Sequence, residues 1–160
     1  MVQADPKTRS GRMDPDLRRW KDACGKWIRL LWVGNYEVTF QILDGPEKHD
    51  GGDPEFVTVA TAAVRPEYFR ALLSIQRGRV RECTDDELDE NACHEVLHIV
   101  AAPFADTLYE AVEAMPKARR QGWHARRIYE HERLTSHLTA VARFLYKAPR
   151  GRVLKEKEKK

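Results

Sequence analysis

The stretch TDDELDENACHEVLHIV, residues 84–100, decides how the second half of the chain folds. Thr84 is followed three residues later by Glu87. This pair is a capping box, in which each side chain accepts a hydrogen bond from a backbone N–H that the first turn of a helix leaves free. The pair therefore predicts a helix over residues 85–100.

The segment HEVLH lies inside this predicted helix and has the spacing of a metal-binding motif. His94 and His98 are four residues apart, so both imidazoles lie on one helix face and can bind one ion. Glu95 is rotated from His94 by roughly 100°, where it can take a proton from a water molecule at the metal's open position. Two imidazoles beside a carboxylate base fit Zn²⁺ best, and the sequence predicts a zinc site with Glu95 as the general base.

A catalytic zinc site needs a third protein ligand. The extension HExxHxxGxxH is absent, because residues 99–104 read IVAAPF, so this ligand must come from further along the chain. The segment IYEHERLTSHL, residues 128–138, offers Glu130, His131 and Glu132 as candidates. Periodicity alone does not choose between the two glutamates. The other histidines are expected at the surface or behind the ligands (His124 and His137) and in a loop (His49).

Helix and strand patterns outside this region predict an α+β fold. Asp14 and Pro15 form a helix start, and alternating apolar and polar residues indicate strands. The predicted elements are a helix from residue 14 to a stop at 34–35, strands over 36–43, 56–64 and 68–75, a loop over 44–54, the helix over 85–100, an amphipathic stretch over 104–115 and a last helix over 125–146. Pro116 and Gly122 are expected to separate the last two elements.

Composition is typical of a single domain of 160 residues, with 42% apolar and 33% charged residues. No apolar run approaches the roughly eighteen residues of a membrane span. The N-terminus has no secretory signal, and three cysteines without CxxC spacing fit a reducing cytoplasm. The expected domain covers residues 14–146, between a flexible N-terminus over 1–13 and a basic flexible tail over 147–160. That tail lacks interleaved aromatic residues and a recognition motif, so nucleic acid is not an expected partner.

These motifs resemble the gluzincin branch of the zincin metallopeptidases, and more closely the small single-domain HExxH proteins encoded by phages and prophages. The resemblance covers about residues 14–146. It implies a minimal zincin-like fold with an N-terminal helix, a small, mostly antiparallel three-stranded sheet, the HExxH helix and a later glutamate helix of the type ERxxxxL. Glu132-Arg133 through Leu138 fits that type, which favours Glu132 as the third ligand over Glu130 and His131. A thermolysin-like NExxxD element is absent.

The resemblance also implies a function and a way of binding substrate. It implies a zinc-dependent endopeptidase, acting on a peptide or protein, whose edge strand pairs with bound peptide. The segment at residues 68–75 is the expected edge strand, and Tyr129 or His131 is the expected helper for the oxyanion. Two alternatives stay open: a phage-type regulatory or inhibitory module that binds metal without cleaving peptides, and a latent protease blocked by its basic tail. The sequence does not indicate the oligomeric state.

Overall fold

A computed structural model of the chain describes residues 13–45 and 59–147. The elements in chain order are α1 (Pro15–Leu30), β1 (Glu37–Leu43), β2 (Ala60–Arg65), β3 (Arg70–Gln76), α2 (Arg77–Glu82), α3 (Asp85–Glu113) and α4 (Lys117–Lys147). An N-terminal helix, a three-stranded mixed sheet and two long C-terminal helices confirm the predicted α+β class. The termini predicted to be flexible lie outside the described residues, apart from Met13 and Lys147, as do His49 and most of the loop predicted around it.

Helix α1 begins as its sequence predicts. The Asp14 carboxylate accepts a hydrogen bond of 2.9 Å from the backbone N–H of Asp16, which satisfies one of the free donors of the first turn. The apolar stripe faces inward, with Trp20 and Cys24 fully buried and Trp27 almost so. The helix ends at Leu30, a few residues before the predicted stop.

The order of the strands corrects two expectations. The order in the sheet is β1-β3-β2, with β3 parallel to β1 and antiparallel to β2. The sheet is therefore mixed rather than mostly antiparallel, because the chain passes from β1 to the far edge before it returns through the centre. The segment at 68–75, expected to be a free edge, instead supplies the central strand, whose buried Leu73 and Ile75 explain its place. Within the described residues, β2 has a free edge and also packs against α3.

The strand ends also differ from the prediction. Residues Pro66–Tyr68 form a 3₁₀ turn and Phe69 adopts a left-handed φ of 51°, so β3 begins at Arg70 rather than at residue 68. Strand β2 runs from Ala60 to Arg65, while residues 56–58 of the predicted strand lie outside the described residues. The short helix α2 was not predicted, because its six residues are too few to show a helical period.

Helix α3 is longer than predicted. Instead of ending near Val100, it continues through Pro103 to Glu113, so the amphipathic stretch at 104–115 is its second half. A proline inside a helix removes one backbone hydrogen bond and crowds the preceding turn. Pro103 lies on the exposed side, while Ala101, Ala102 and Ala105 are buried against the rest of the domain. We infer that their packing outweighs the lost bond.

Helix α4 begins at Lys117, directly after Pro116, rather than near residue 125. Pro116 does separate the two long helices, but Gly122 lies inside α4. The prediction that Gly122 breaks the helix was wrong, because a glycine in a helix costs only about 1 kcal/mol. None of the described helices has the length and apolar character that crossing a membrane requires.

The core lies between α1, the sheet and the inner face of α3. Its largest fully buried apolar side chains are Trp20, Trp27, Leu73, Ile75, Val80, Val96 and Ile99. The indole N–H of Trp20 donates to the carbonyl of Leu73 at 3.2 Å, and that of Trp27 donates to the carbonyl of Asp89 at 3.1 Å. These bonds join α1 to β3 and to α3. Helix α4 lies outside this core and packs along α3.

We predict that Gly122→Ala raises the free energy of unfolding by about 0.5–1 kcal/mol, because alanine loses less backbone entropy than glycine when the helix forms. A Cβ added at Gly122 has no atom within 4 Å, so the substitution introduces no clash. Gly45→Ala is the matched control, and we expect it to destabilise because Gly45 has a φ of +124°. Urea unfolding measures both. A destabilised Gly122→Ala variant would contradict a continuous helix at this point.

Candidate metal centre

Helix α3 holds the two histidines of the HEVLH segment on its outer side. The side chains around them, Cys93, Val96, Leu97 and Ile99, are buried in the core, which fixes the rotation of the helix about its axis. His94 and His98 therefore lie together on the face that α4 covers in part. Their Nε2 atoms are 3.1 Å apart, and the rings meet edge to face.

Helix α4 brings Glu132 to these two imidazoles. One carboxylate oxygen of Glu132 lies 3.4 Å from Nε2 of His94, and the other lies 3.6 Å from Nε2 of His98. Ligand atoms about 2.0–2.1 Å from a tetrahedral zinc ion are roughly 3.3 Å from one another. The three separations of 3.1, 3.4 and 3.6 Å are close to that value. The last two distances involve different oxygens of Glu132, so its carboxylate faces both imidazoles at distances that one metal ion could bridge.

Ion pairs beyond the site hold α4 in register with α3. Arg143, whose side chain is only 12% exposed, contacts Asp86 at 2.9 Å and also Glu90. Lys147 pairs with Asp86 as well. The buried face of α4 carries the small residues Thr135 and Thr139, which allow a close approach to α3. These contacts set the position of α4 along the axis of α3 and therefore place Glu132 beside the two histidines.

Glu95 is buried beside the histidines and forms no hydrogen bond with the part of the chain that the structure describes. The residue is only 6% exposed, and it makes no ion pair with any described residue. One of its carboxylate oxygens lies within 4.8 Å of ring nitrogens of His94 and His98. Burial raises the pKa of Glu95 to about 7, with a further increase from Glu132 and an opposing effect of His94. A carboxyl group with such a pKa can take up and release a proton near neutral pH.

Two of the three candidate ligands, His98 and Glu132, are held in the protonation state that metal binding needs, whereas the shift of His94 favours its protonated form, which a metal ion would have to displace. Burial lowers the pKa of His98 to about 4, so its imidazole is neutral. Burial also lowers the pKa of His94, but the hydrogen bond with Glu132 and the nearby negative charges outweigh it, and the net shift is upward. The hydrogen bond with His94 lowers the pKa of Glu132 and keeps it ionised. Metal ligation needs unprotonated imidazole nitrogens and an ionised carboxylate.

Of the other candidate ligands, His131 is the nearest to the cluster. Its ring packs edge to face on His98, with 4.9 Å between the ring centres, and a ring nitrogen lies within 4.8 Å of donor atoms of His98 and Glu132. Its Nε2 atom is buried and has no hydrogen-bond partner. Burial also lowers the pKa of His131. Glu130 is instead paired with Arg133 at 2.8 Å.

The remaining predicted residues are placed elsewhere. Tyr129 is 64% exposed, and His124 forms an ion pair with Glu113 at 3.0 Å. His137 lines an outer groove of about 570 Å³, together with Glu130 and apolar side chains of α3 and α4. None of these three belongs to the groups of ligand atoms found among the described residues.

Sequence reasoning missed a second group of polar residues next to the histidines. Arg79 of α2 and Asn91 of α3 line a groove of about 460 Å³ that reaches His94. Asn91 is three residues before His94 and shares its helix face, so spacing could have indicated it. Arg79 gave no such signal, because the short helix that carries it was not predicted.

Comparisons of the chain with protein-family models, with curated proteins and with solved structures found no match. The class of the protein therefore follows from its own structure. It is an α+β protein with two adjoining groups of side chains that could hold a metal ion: His94, Glu95 and His98 on α3, and His98 with His131 and Glu132 of α4.

We predict that Glu95→Gln stabilises the metal-free protein at alkaline pH. The pKa of Glu95 is about 7 in the folded protein, above the 4.5 of an exposed glutamate, so folding is opposed wherever the group must ionise. The expected gain in the free energy of unfolding is about 3 kcal/mol above pH 7, and it disappears as the pH falls below 4.5. Urea unfolding in chelator at pH 8 and pH 5 measures it. Equal free energies of unfolding for wild type and Glu95→Gln at pH 8 would show that ionised Glu95 does not destabilise the folded protein.

Proposed function

We propose that the protein is a zinc-dependent peptide-bond hydrolase and that His94, His98 and Glu132 hold the zinc ion. The observation that carries this proposal is the position of the Glu132 carboxylate, which faces two imidazole nitrogens 3.1 Å apart and places one oxygen 3.4 Å from His94 and the other 3.6 Å from His98. Two imidazoles and one carboxylate are a common ligand set for a catalytic zinc, which keeps a position open for water or substrate. The resemblance of the HExxH helix and the later glutamate helix to gluzincins supports the same choice.

When bound, zinc would supply a Lewis acid that polarises the substrate carbonyl and acidifies a water molecule. The chain would supply the proton transfers. Glu95 takes a proton from the attacking water on a carboxylate oxygen and passes it to the nitrogen of the leaving amine. Its pKa is about 7 in the metal-free protein, and the charge of a bound zinc ion would lower it toward the ionised form that accepts the proton. A role in catalysis also accounts for a buried carboxyl group that forms no hydrogen bond with any described residue.

Of the two helpers proposed for the oxyanion, His131 is better supported than Tyr129. His131 has a ring nitrogen within 4.8 Å of donor atoms of His98 and Glu132, and its Nε2 is unpaired, whereas the side chain of Tyr129 is largely exposed. A neutral imidazole that carries its proton on Nε2 can donate a hydrogen bond to a developing oxyanion. We therefore assign this role to His131.

The substrate is proposed to be an extended peptide that pairs with the free edge of β2. This strand packs against α3, the helix that carries the histidines. Exposed backbone N–H and C=O groups at a sheet edge can bind a peptide as an added strand. Strand β3 cannot serve in this way, because β1 and β2 pair with both of its sides.

The test combines metal analysis with a search for cleavage. Elemental mass spectrometry of purified protein should find one zinc per chain, and none in His98→Ala or Glu132→Ala. Incubation with a peptide library, read by mass spectrometry, should give cleavage by wild type. Glu95→Gln should keep its zinc and lose at least about a hundredfold in rate, because it keeps the shape of the side chain but cannot accept the proton.

The opposite results each contradict a stated part of this proposal. Failure of wild type to bind zinc on reconstitution would overturn the metal site. Zinc retained by Glu132→Ala and lost in a His131→Ala variant would move the third ligand to His131. Zinc without cleavage, in full-length protein and in a chain ending at Tyr146 that removes the basic tail, would leave a metal-binding module without protease activity.

A further inference from the structure

The groove beside His94 has the residues of a binding site. It is lined by side chains of α3 and α4 and by Arg79 of α2, and has a volume of about 460 Å³. Its polar lining includes Arg79, Asn91, His94, Ser136 and Thr139. Ser136 follows Glu132 by one helical turn on α4 and shares its face. The groove therefore begins at the proposed zinc ligands and leads away from them.

Two hydrogen-bond donors in this groove have no acceptor. The Nε atom of Arg79 and the side-chain nitrogen of Asn91 are buried and make no hydrogen bond. The other arginines nearby are paired: Arg77 contacts Asp14 and Asp16, and Arg81 contacts Asp16. Among the described residues, Arg79 forms no ion pair. A buried donor without a partner is costly to folding, and because Arg79 and Asn91 both line the groove, an acceptor bound there would remove this cost.

The two glutamates that also line the groove are already engaged. One carboxylate oxygen of Glu87 accepts from the backbone N–H of Thr84 at 2.7 Å and from its hydroxyl at 2.9 Å. Glu90 is paired with Arg143. The pKa of Glu87 is lowered mainly by the backbone hydrogen bond from Thr84. The positive charge of Arg79 has a smaller effect in the same direction, and Arg79 forms no hydrogen bond with Glu87. The guanidinium group of Arg79 thus stays available to a ligand.

We propose that Arg79 and Asn91 bind a carboxylate group of the peptide substrate. This inference rests on the proposed peptidase function and names the substrate class that the site selects. A guanidinium group offers two parallel N–H donors that match the two oxygens of a carboxylate, and the amide of Asn91 adds a third donor. The carboxylate can be the free C-terminus of a peptide or the side chain of aspartate or glutamate.

The position of the groove relates this carboxylate to the cleaved bond. Asn91 and His94 are three residues apart, which corresponds to about 4.5 Å along the helix axis. An extended peptide advances about 3.3 Å per residue. The bound carboxylate accordingly belongs to the residue at the cleaved bond or to one of its next two neighbours.

The test measures binding separately from cleavage. Zinc-loaded, full-length Glu95→Gln protein is titrated with two pairs of fluorescent peptides. The first pair, tetra-alanine with a free or an amidated C-terminus, tests recognition of a C-terminal carboxylate. The second pair, Ala-Asp-Ala-Ala and Ala-Asn-Ala-Ala, both amidated, tests recognition of a side-chain carboxylate. We expect at least about tenfold tighter binding of the acid in one pair, which also identifies the source of the carboxylate.

Matched variants assign the preference to Arg79. In the same background, Arg79→Gln should remove the preference for the acid, while Arg81→Gln, with the same loss of charge on the same helix, should retain it. Arg79→Lys should retain only part of it, because an ammonium group cannot bind both carboxylate oxygens in parallel. Asn91→Ala should lower the preference. Thermal melts verify that each variant is folded.

Two results would overturn the inference: equal binding of acid and neutral peptides, or an acid preference that survives in Arg79→Gln. The latter would mean that the carboxylate binds zinc directly. A clear preference in a protein that never cleaves peptides would refute the hydrolase and retain the carboxylate site. Cleavage without any acid preference would refute the carboxylate site and retain the hydrolase. The two proposals can therefore fail separately.

Discussion

The packing of α4 along α3 brings a carboxylate beside two imidazoles that lie 38 and 34 residues earlier in the chain. Helix α3 buries one face against α1 and the sheet, so the opposite face, with His94 and His98, must point outward. The small buried residues of α4 and the ion pairs of Arg143 then determine where Glu132 meets that face. A shift of α4 by a single turn, about 5.4 Å, would separate the donor atoms beyond the reach of one ion.

This arrangement is costly to folding. Glu95 is buried with a raised pKa, His98 is held neutral, and buried polar atoms of His131, Arg79 and Asn91 lack partners. Sites with several such costs in one place are usually sites selected for function rather than for stability. The fully apolar core between α1, β3 and α3 supplies the compensating stability. Three of the five unpaired buried side-chain atoms among the described residues belong to grooves next to the histidines, which is an argument for chemistry that uses them.

Local signals in the sequence predicted local structure well. The capping box at Thr84 and the N-cap at Asp14 depend on residues close in the chain, and both occur as expected. The spacing of His94 and His98 is likewise a property of one helix. Predictions failed where packing decides: alternation identifies a strand but not its neighbours, and neither Pro103 nor Gly122 ends a helix that is supported from its side.

The third candidate ligand shows the same limit most clearly. Spacing along α4 left Glu130 and Glu132 equivalent, and only the family resemblance favoured Glu132. In the structure Glu130 contacts Arg133, while Glu132 faces the histidines, because the residues facing α3 are set by how two helices far apart in sequence pack. The proposed role of Arg79 could not be predicted for a related reason, because it depends on where the short helix α2 places this residue next to α3.

The most direct test of this account is a crystal structure of the zinc-loaded protein with diffraction data collected on both sides of the zinc absorption edge. We predict a single strong anomalous peak at about 2.0–2.2 Å from Nε2 of His94, Nε2 of His98 and a carboxylate oxygen of Glu132, with Glu95 next to the open side. A peak at another place, or one whose ligands do not include both histidines, would contradict the account.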